Sequence, residues 1–265
     1  MKNNLTVQFL EANDGAQLAY DVVKQDIPAE SPGIIWLGGF KSDMTGTKAS
    51  ALAQWAQETN HSFLRFDYFA HGASQGSFRE GTIGRWKDDA LLMMERLTKG
   101  PQILIGSSMG AWIALLVALA RPEQVKGIVL IAPAPDFTED LMWAGFDEDV
   151  KKTLLEDGLY SQPSEYDEPY EITLKLIEDG RNHLLLNKPI PLHCPVRILQ
   201  GMQDEDVPWE HAVRTLNALA SDDVTLQLNK VGDHRLSEPD DIARLMHTVE
   251  DLLELVAKTE LEVAS

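Results

Sequence analysis

Cysteine is almost absent from this chain of 265 residues: Cys194 stands alone, so no internal disulfide can form. Positive charge is also scarce, with 23 Lys and Arg against 42 Asp and Glu and a formal charge of −19. No basic run is available to neutralise phosphates, which argues against nucleic acid, and the same acidity argues against docking on anionic membranes. No apolar run is long enough to span a bilayer. The longest, Ala111 to Ala120, is about half of the ~20 residues required, so no membrane insertion is expected. The opening Met1-Lys2-Asn3-Asn4 has neither an apolar core nor an arginine-rich amphipathic stretch. Together with the lone cysteine, that predicts a cytoplasmic protein. No linker, repeat or low-complexity tract divides the chain, and α/β folds of this size are commonly single. No Cys–His metal spacing and no phosphate-binding glycine loop occur, so neither a metal nor a cofactor is expected. Nothing demands more than a monomer.

What is present concentrates in one segment, Ile103-Leu104-Ile105-Gly106-Ser107-Ser108-Met109-Gly110-Ala111-Trp112-Ile113. A short apolar stretch leads through Gly-x-Ser-x-Gly into an unbroken helical run. A serine at such a strand-to-helix elbow sits in a strained turn, with Gly106 and Gly110 leaving room for close packing around it. Its hydroxyl then stands clear of the sheet, where a base can activate it. Ser108 is therefore the expected nucleophile.

An acid and a base should follow in that order. Three carboxylates come after strand-like stretches: Asp204 and Asp206 beyond Val196–Gln200, and Asp136 beyond Gly127–Ala132. Asp204 falls early enough in its turn to face back over the sheet. Asp206 suits the start of the helix that Pro208 opens, where a carboxylate favours the helix dipole. The pattern favours Asp204. Val224–Leu228 alternates as a strand does, and Gly232-Asp233-His234 follows it, which puts His234 on the same rim as the base. His71, in Ala70-His71-Gly72, instead suits a role in shaping its own loop. An acyl-transfer site also needs donors for the oxyanion. The backbone N–H of Met109 is one, and the turn Gly38-Gly39-Phe40 after Gly33–Leu37 offers the N–H of Phe40 as the other.

Strands are expected at Thr6–Leu10, Gln17–Lys24, Gly33–Leu37, Ser62–Phe66, Gln102–Ile105, Lys126–Ile131, Val196–Gln200 and Val224–Leu228. Helices are expected at Thr47–Thr59, Ile83–Lys99, Ser108–Ala120, Pro208–Ala220 and Pro239–Ala257. Two leading strands followed by strands alternating with helices describe a mostly parallel, eight-stranded sheet covered on both faces. The candidate residues all follow carboxyl ends of strands, where open α/β sheets bind ligands. This is an α/β-hydrolase fold. Residues 1–132 and 192–265 form its core, and the acidic stretch 133–191 is expected as a small helical lid, with helices at Glu148–Gly158 and Glu168–Asn182. Its aromatics include Trp143, Phe146, Tyr160 and Tyr166. Trp143 and Phe146 are the candidates for contact with substrate; the alternative is that these rings form the segment's own small core.

Several stretches narrow the family. Gly39-Phe40-Lys41-Ser42-Asp43-Met44-Thr45-Gly46-Thr47-Lys48-Ala49, Arg65-Phe66-Asp67-Tyr68, Gly84-Arg85-Trp86 and Gly100-Pro101-Gln102 running into the serine elbow are four of them. Cys194-Pro195-Val196-Arg197, Gly201-Met202, Asp204, Val207-Pro208-Trp209 and Asp233-His234-Arg235 complete the set. Over nearly its whole length the chain resembles the α/β-hydrolase domain-containing protein ten group, known in animals as mitochondrial palmitoyl-protein thioesterases and acyl-glucuronide esterases. The resemblance implies Ser108 as nucleophile, Asp204 as acid and His234 as base, and the amino terminus suggests a bacterial-type, cytoplasmic relative. The expected function is hydrolysis of a small-molecule acyl ester or thioester through an acyl-enzyme. Carbon–carbon hydrolysis and perhydrolysis are alternatives on this fold, as is a ligand receptor on a hydrolase scaffold. Dehalogenase and epoxide hydrolase chemistry would need an aspartate where Ser108 stands.

Overall fold

Period-two alternation sorts the strands of this chain into two cores. In β5 (Gln102–Ser107), Leu104 packs into one apolar cluster while Ile103 and Ile105 pack into the other, on the opposite face. The computed structural model describes residues 6–25, 31–162 and 170–263. The amino-terminal Met1–Asn4, Tyr166 and the expected helix start at Glu168 lie outside the described residues.

Strands β1 (Gln8–Glu11), β2 (Gln17–Val23), β3 (Gly33–Leu37), β4 (Phe63–Phe66), β5, β6 (Val125–Ile131), β9 (Val196–Gly201) and β10 (Val224–Asn229) form one sheet. A separate hairpin is made by β7 (Leu159–Gln162) and β8 (Tyr170–Thr173). The large sheet runs in the order β1-β2-β4-β3-β5-β6-β9-β10; the two pairs that β2 makes, with β1 and β4, are antiparallel and the rest are parallel. On one face lie α1 (Thr47–Glu58) and α7 (Pro239–Val263), burying Leu52, Ala53, Val249 and Leu252 against Ile34, Ile103 and Ile131. On the other lie α2 (Ile83–Leu97), α3 (Met109–Ala120) and α6 (Trp209–Ala218), burying Trp86, Met93, Trp112 and Ala212 against Ile35, Leu104 and Ile128. The chain thus adopts the α/β-hydrolase architecture expected of it.

The uniform hydrophobicity of α3 has a structural cause. Every residue from Met109 to Ala118 is buried, and the Trp112 indole donates to the carbonyl of His183 at 3.1 Å. Among the described residues, no helix is long and apolar enough to cross a membrane.

Gly106 and Gly110 make the strand–helix crossing possible. A Cβ on Gly110 would lie 2.0 Å from the Leu37 carbonyl oxygen, and one on Gly106 would lie 2.4 Å from that of Gly110. Both clashes are with backbone, which cannot swing aside. Gly110→Ala is therefore expected to destabilise the fold by about 3 kcal/mol or more, lowering the melting midpoint by roughly 6 °C or more. A midpoint within about 2 °C of wild type by circular dichroism would contradict this packing.

Between β6 and β9 the chain departs from the helical reading. It forms a π-helical turn at Thr138–Trp143, then α4 (Glu148–Asp157), the β7–β8 hairpin and α5 (Leu174–Arg181). The expected helix over Glu168–Asn182 is shortened, because Tyr170–Thr173 pairs with Leu159–Gln162 and the Thr173 hydroxyl, accepting from Leu176 N–H at 3.1 Å, caps a helix that starts only at Leu174. β-branched Ile172 suits the strand and is buried with Leu154 and Ile177. Trp143, Phe146 and Tyr160 pack around that small cluster. The segment is pinned at its root by Asp136, whose carboxylate accepts from Leu185 N–H at 2.8 Å and from Leu186 N–H at 2.8 Å.

Candidate active site

Backbone strain marks one rim of the sheet. Among the described residues seven non-glycines have positive φ, and six of them, Lys41, Ala70, Ser108, Ala132, Asp136 and Leu236, lie in loops beyond carboxyl ends of strands. Strain of this kind costs about 1–3 kcal/mol per residue and persists where surrounding contacts enforce it. Ser108 has φ 55° and ψ −118°, and its N–H donates to the Ile131 carbonyl at 2.8 Å. Its own carbonyl accepts from Ala111 N–H at 3.0 Å and from Ala134 N–H at 3.3 Å. The elbow is held from both sides.

His234, in the loop between β10 and α7, turns its ring toward this serine. Nε2 lies 3.1 Å from Ser108 Oγ, and Nδ1 lies 2.8 Å from Asp204 Oδ2. Asp204 comes from the turn after β9, and its carboxylate is surrounded by donors. Oδ2 also accepts from Gln200 Nε2 at 3.0 Å, while Oδ1 accepts from the N–H groups of Asp206 at 3.0 Å and Val207 at 2.8 Å. Its side chain is fully buried. Burial pushes the carboxyl pKa up, but the hydrogen bond from His234, the Val207 amide and the Gln200 amide outweigh it, and the net shift is downward. Asp204 is thus held as a carboxylate, which requires Nδ1 of His234 to carry the proton and leaves Nε2 as an acceptor for the serine hydroxyl.

The competing carboxylates are otherwise engaged. Asp206 is exposed and contributes only its backbone N–H to Asp204. Asp136 is buried at the root of the 133–191 segment, bonded to the Leu185 and Leu186 amides. Asp204, Asp206 and His234 are also the one grouping among the described residues whose donor atoms could share a cation, but Asp204 and His234 are here bonded to each other.

The turn after β3 lies against the serine: a Cβ on Gly39 would fall 3.5 Å from Ser108 Cβ. Ser42 N–H closes this turn onto the Gly39 carbonyl at 3.1 Å. Lys41, at φ 57°, donates its N–H to His71 Nε2 at 3.1 Å, and His71 Nδ1 donates to the Phe69 carbonyl at 3.1 Å. Burial pushes the His71 pKa down to about 4, so the ring is neutral and can accept at Nε2. His71 thus shapes its own loop, as its sequence context suggests, and also braces the turn that carries Phe40. The Phe40 ring packs edge-on against Phe78, Trp86 and Phe137, at centroid distances of 5.0, 5.9 and 5.8 Å.

Trp143 and Phe146, the sequence's candidates for substrate contact, are partly buried against the small core of their own segment. The Arg181 guanidinium lies 4.7 Å from the Trp143 ring centroid, and Phe146 meets Tyr160 at 6.0 Å. Sequence reasoning missed Gln200. Its only signal is a polar residue directly after Ile198-Leu199 near the end of its strand, which does not reveal the carboxylate it serves.

Comparison with known proteins gives the family and the fold. The family model for serine aminopeptidases of the S33 type, Hydrolase_4, matches residues 35–156, the stretch that includes the serine elbow. The human mitochondrial palmitoyl-protein thioesterase ABHD10 is 38% identical over 255 residues, covering 96% of this chain and 82% of the relative. The mouse α/β-hydrolase domain-containing protein 10 structure superposes with a TM-score of 0.86 at 36% identity, over 95% of this chain and 99% of that one. A hydrolase-type protein of Agrobacterium vitis S4 superposes with a TM-score of 0.89 at 41% identity, over 95% and 100%. One expectation is overturned. The ABHD10 relatives are named as mitochondrial, which points away from the cytoplasmic assignment drawn from the amino terminus and the lone cysteine. A single cysteine excludes disulfides, but it does not tell one reducing compartment from another.

Proposed function

The chain belongs to the ABHD10 family of α/β-hydrolases, and from that premise we propose that it is a serine hydrolase cleaving acyl esters and thioesters through an acyl-enzyme. The observation that carries this reading is the hydrogen-bonded line from Ser108 Oγ to His234 at 3.1 Å and on to Asp204 at 2.8 Å. His234 Nε2 takes the serine proton as Oγ attacks the carbonyl carbon, and Asp204 holds Nδ1–H and stabilises the imidazolium. The same proton then goes to the departing alcohol or thiol. Water, deprotonated by His234, releases the acyl group and regenerates Ser108.

The oxyanion is received by two backbone N–H groups in this reading. Met109 N–H stands at the amino terminus of α3, where the helix dipole adds to the hydrogen bond. Phe40 N–H belongs to the turn that lies against Ser108 and is braced by His71. The Phe40–Phe78–Phe137 rings give the site an apolar wall suited to an acyl chain. Residues 133–191 act as the lid over this wall. The lid spans from the Asp136 anchor to the hairpin, which is tied back by the Arg79–Glu171 ion pair at 2.5 Å. The relatives' name, palmitoyl-protein thioesterase, makes a long-chain acyl thioester the first substrate class to test.

The test is rapid-mixing release from p-nitrophenyl esters, acetyl to palmitoyl, and from a palmitoyl thioester of a cysteine peptide. A burst of about one equivalent per chain, followed by slower steady turnover, is expected for an acyl-enzyme. No release from any of them by folded protein would overturn the proposal and favour a ligand receptor on this scaffold.

A further inference from the structure

Lys48 is half-buried beside the loop that carries His234, although its sequence position in the first turn of α1 gives no hint of it. Its ammonium donates to the carbonyl of Arg235, the residue that follows His234. Lys48 also lines a small cavity of about 10 Å³ together with Gln200, Asn229, Asp241 and Arg244. Gln200 is the residue that donates to the Asp204 carboxylate. One cation therefore bonds the loop that carries His234 and shares a cavity with the side chain that supports the acid.

The loop needs such a tie. Two residues past His234, Leu236 sits at φ 44°, a region that disfavours residues with a Cβ. Its N–H donates to Asp233 Oδ1 at 2.9 Å, and Lys48 holds the carbonyl in between. The charged groups facing Lys48 are Asp233 and Arg235 from the loop and Asp241 and Arg244 from α7. Asp241 Oδ1 already accepts from Asn229 Nδ2 and from Arg244, both at 2.9 Å, so its charge is shared. Burial, the dominant influence, pushes the Lys48 pKa down to about 8 against the pull of Asp233 and Asp241.

We propose that Lys48 is a positioning residue for the reaction: its charged donor fixes the Arg235 carbonyl and keeps the His234 ring in line between Asp204 and Ser108. The inference rests on the serine-hydrolase reading above. It separates activity from stability on the alkaline side. Between about 8 and the ordinary 10.5, the unfolded chain keeps a proton that the fold has released, so the contribution of Lys48 to stability rises with pH. Turnover falls as pH rises through about 8, where the ammonium becomes an uncharged and weaker donor.

The experiment measures kcat and KM for a thioester substrate from pH 6 to 10 in wild type, Lys48→Met and Lys48→Arg, with melting midpoints alongside. Methionine keeps the apolar stem and removes donor and charge. The expected wild-type profile has an alkaline limb centred near 8. Lys48→Met is expected to lose about tenfold in kcat at pH 7 with KM within about twofold, and to lack that limb. Lys48→Arg should recover much of the loss and move the limb out of range, because guanidinium does not titrate there. The low-field Nδ1–H resonance of His234 gives a readout that needs no turnover: it should broaden in Lys48→Met and in wild type above the limb. A Lys48→Met enzyme with wild-type kcat, a wild-type alkaline limb and a sharp Nδ1–H resonance would overturn the inference while leaving the hydrolase reading intact. A folded wild type without acyl turnover would end both.

Discussion

Ser108→Ala is expected to abolish acyl turnover, lowering kcat by about 10⁵- to 10⁶-fold while KM for a slowly hydrolysed substrate changes little. In the proposed mechanism the serine oxygen is the atom that bonds the acyl carbon; without it, His234 and Asp204 remain aligned with nothing to activate. Intact-mass measurement after mixing with a p-nitrophenyl ester should show an acyl adduct on wild type and none on the variant. The same position carries a second expectation. With φ 55° and ψ −118°, Ser108 holds a conformation that alanine tolerates no better than serine, whereas glycine adopts it freely. Ser108→Gly should therefore be more stable than Ser108→Ala by about 1 kcal/mol, or roughly 2–4 °C in melting midpoint. An alanine variant that keeps a tenth of wild-type turnover would remove Ser108 from the chemistry, and equal melting of the two variants would remove the strain argument.

That elbow was legible because three physical requirements coincide over Ile103–Ile113: an apolar strand, two glycines where backbones touch, and a helix apolar on every side. The eight-stranded sheet was legible for the same kind of reason, since burial on both faces makes parallel strands read as continuous apolar runs. Asp204 and His234 could be placed at the rim because each follows a strand closely enough that the chain has no room to carry it elsewhere. Less was legible where long-range contacts decide. Glu168–Asn182 carries a helical pattern throughout, and only the pairing of Tyr170–Thr173 with Leu159–Gln162 turns its first part into a strand. Trp143 and Phe146 could be placed in the segment but not oriented, because the direction of a ring depends on Arg181, Tyr160 and Ile172, which pack around it. The bond from Lys48 to the Arg235 carbonyl spans 187 positions and leaves no local signature. Compartment was not legible at all, since burial and packing do not depend on it.

Asp204→Asn should cost about 10⁴-fold in kcat, and its physical cause differs from a simple loss of charge. All four contacts around this carboxylate are donors: His234 Nδ1, Gln200 Nε2 and the N–H groups of Asp206 and Val207. A carboxamide must turn its NH₂ toward one pair of them. Facing His234, it forces the proton onto Nε2, and the base can no longer accept from Ser108. Facing Asp206 and Val207, it leaves their N–H groups without an acceptor, at a cost of about 1–3 kcal/mol. The two backbone donors favour the first orientation, so the variant should lose activity, and a crystal structure of it would show the NH₂ facing His234. The pH dependence of wild-type stability follows from the same contacts. The folded pKa of Asp204 lies below its ordinary value of 3.8, so the carboxylate contributes stability that is fully present above that value and is lost as pH falls through the lower folded one. In Asp204→Asn this contribution disappears, and the melting midpoint should fall less steeply with acid below about pH 4 than in wild type. An asparagine variant with wild-type kcat and an unchanged acid limb of stability would mean that Asp204 neither orients His234 nor carries the charge assigned to it.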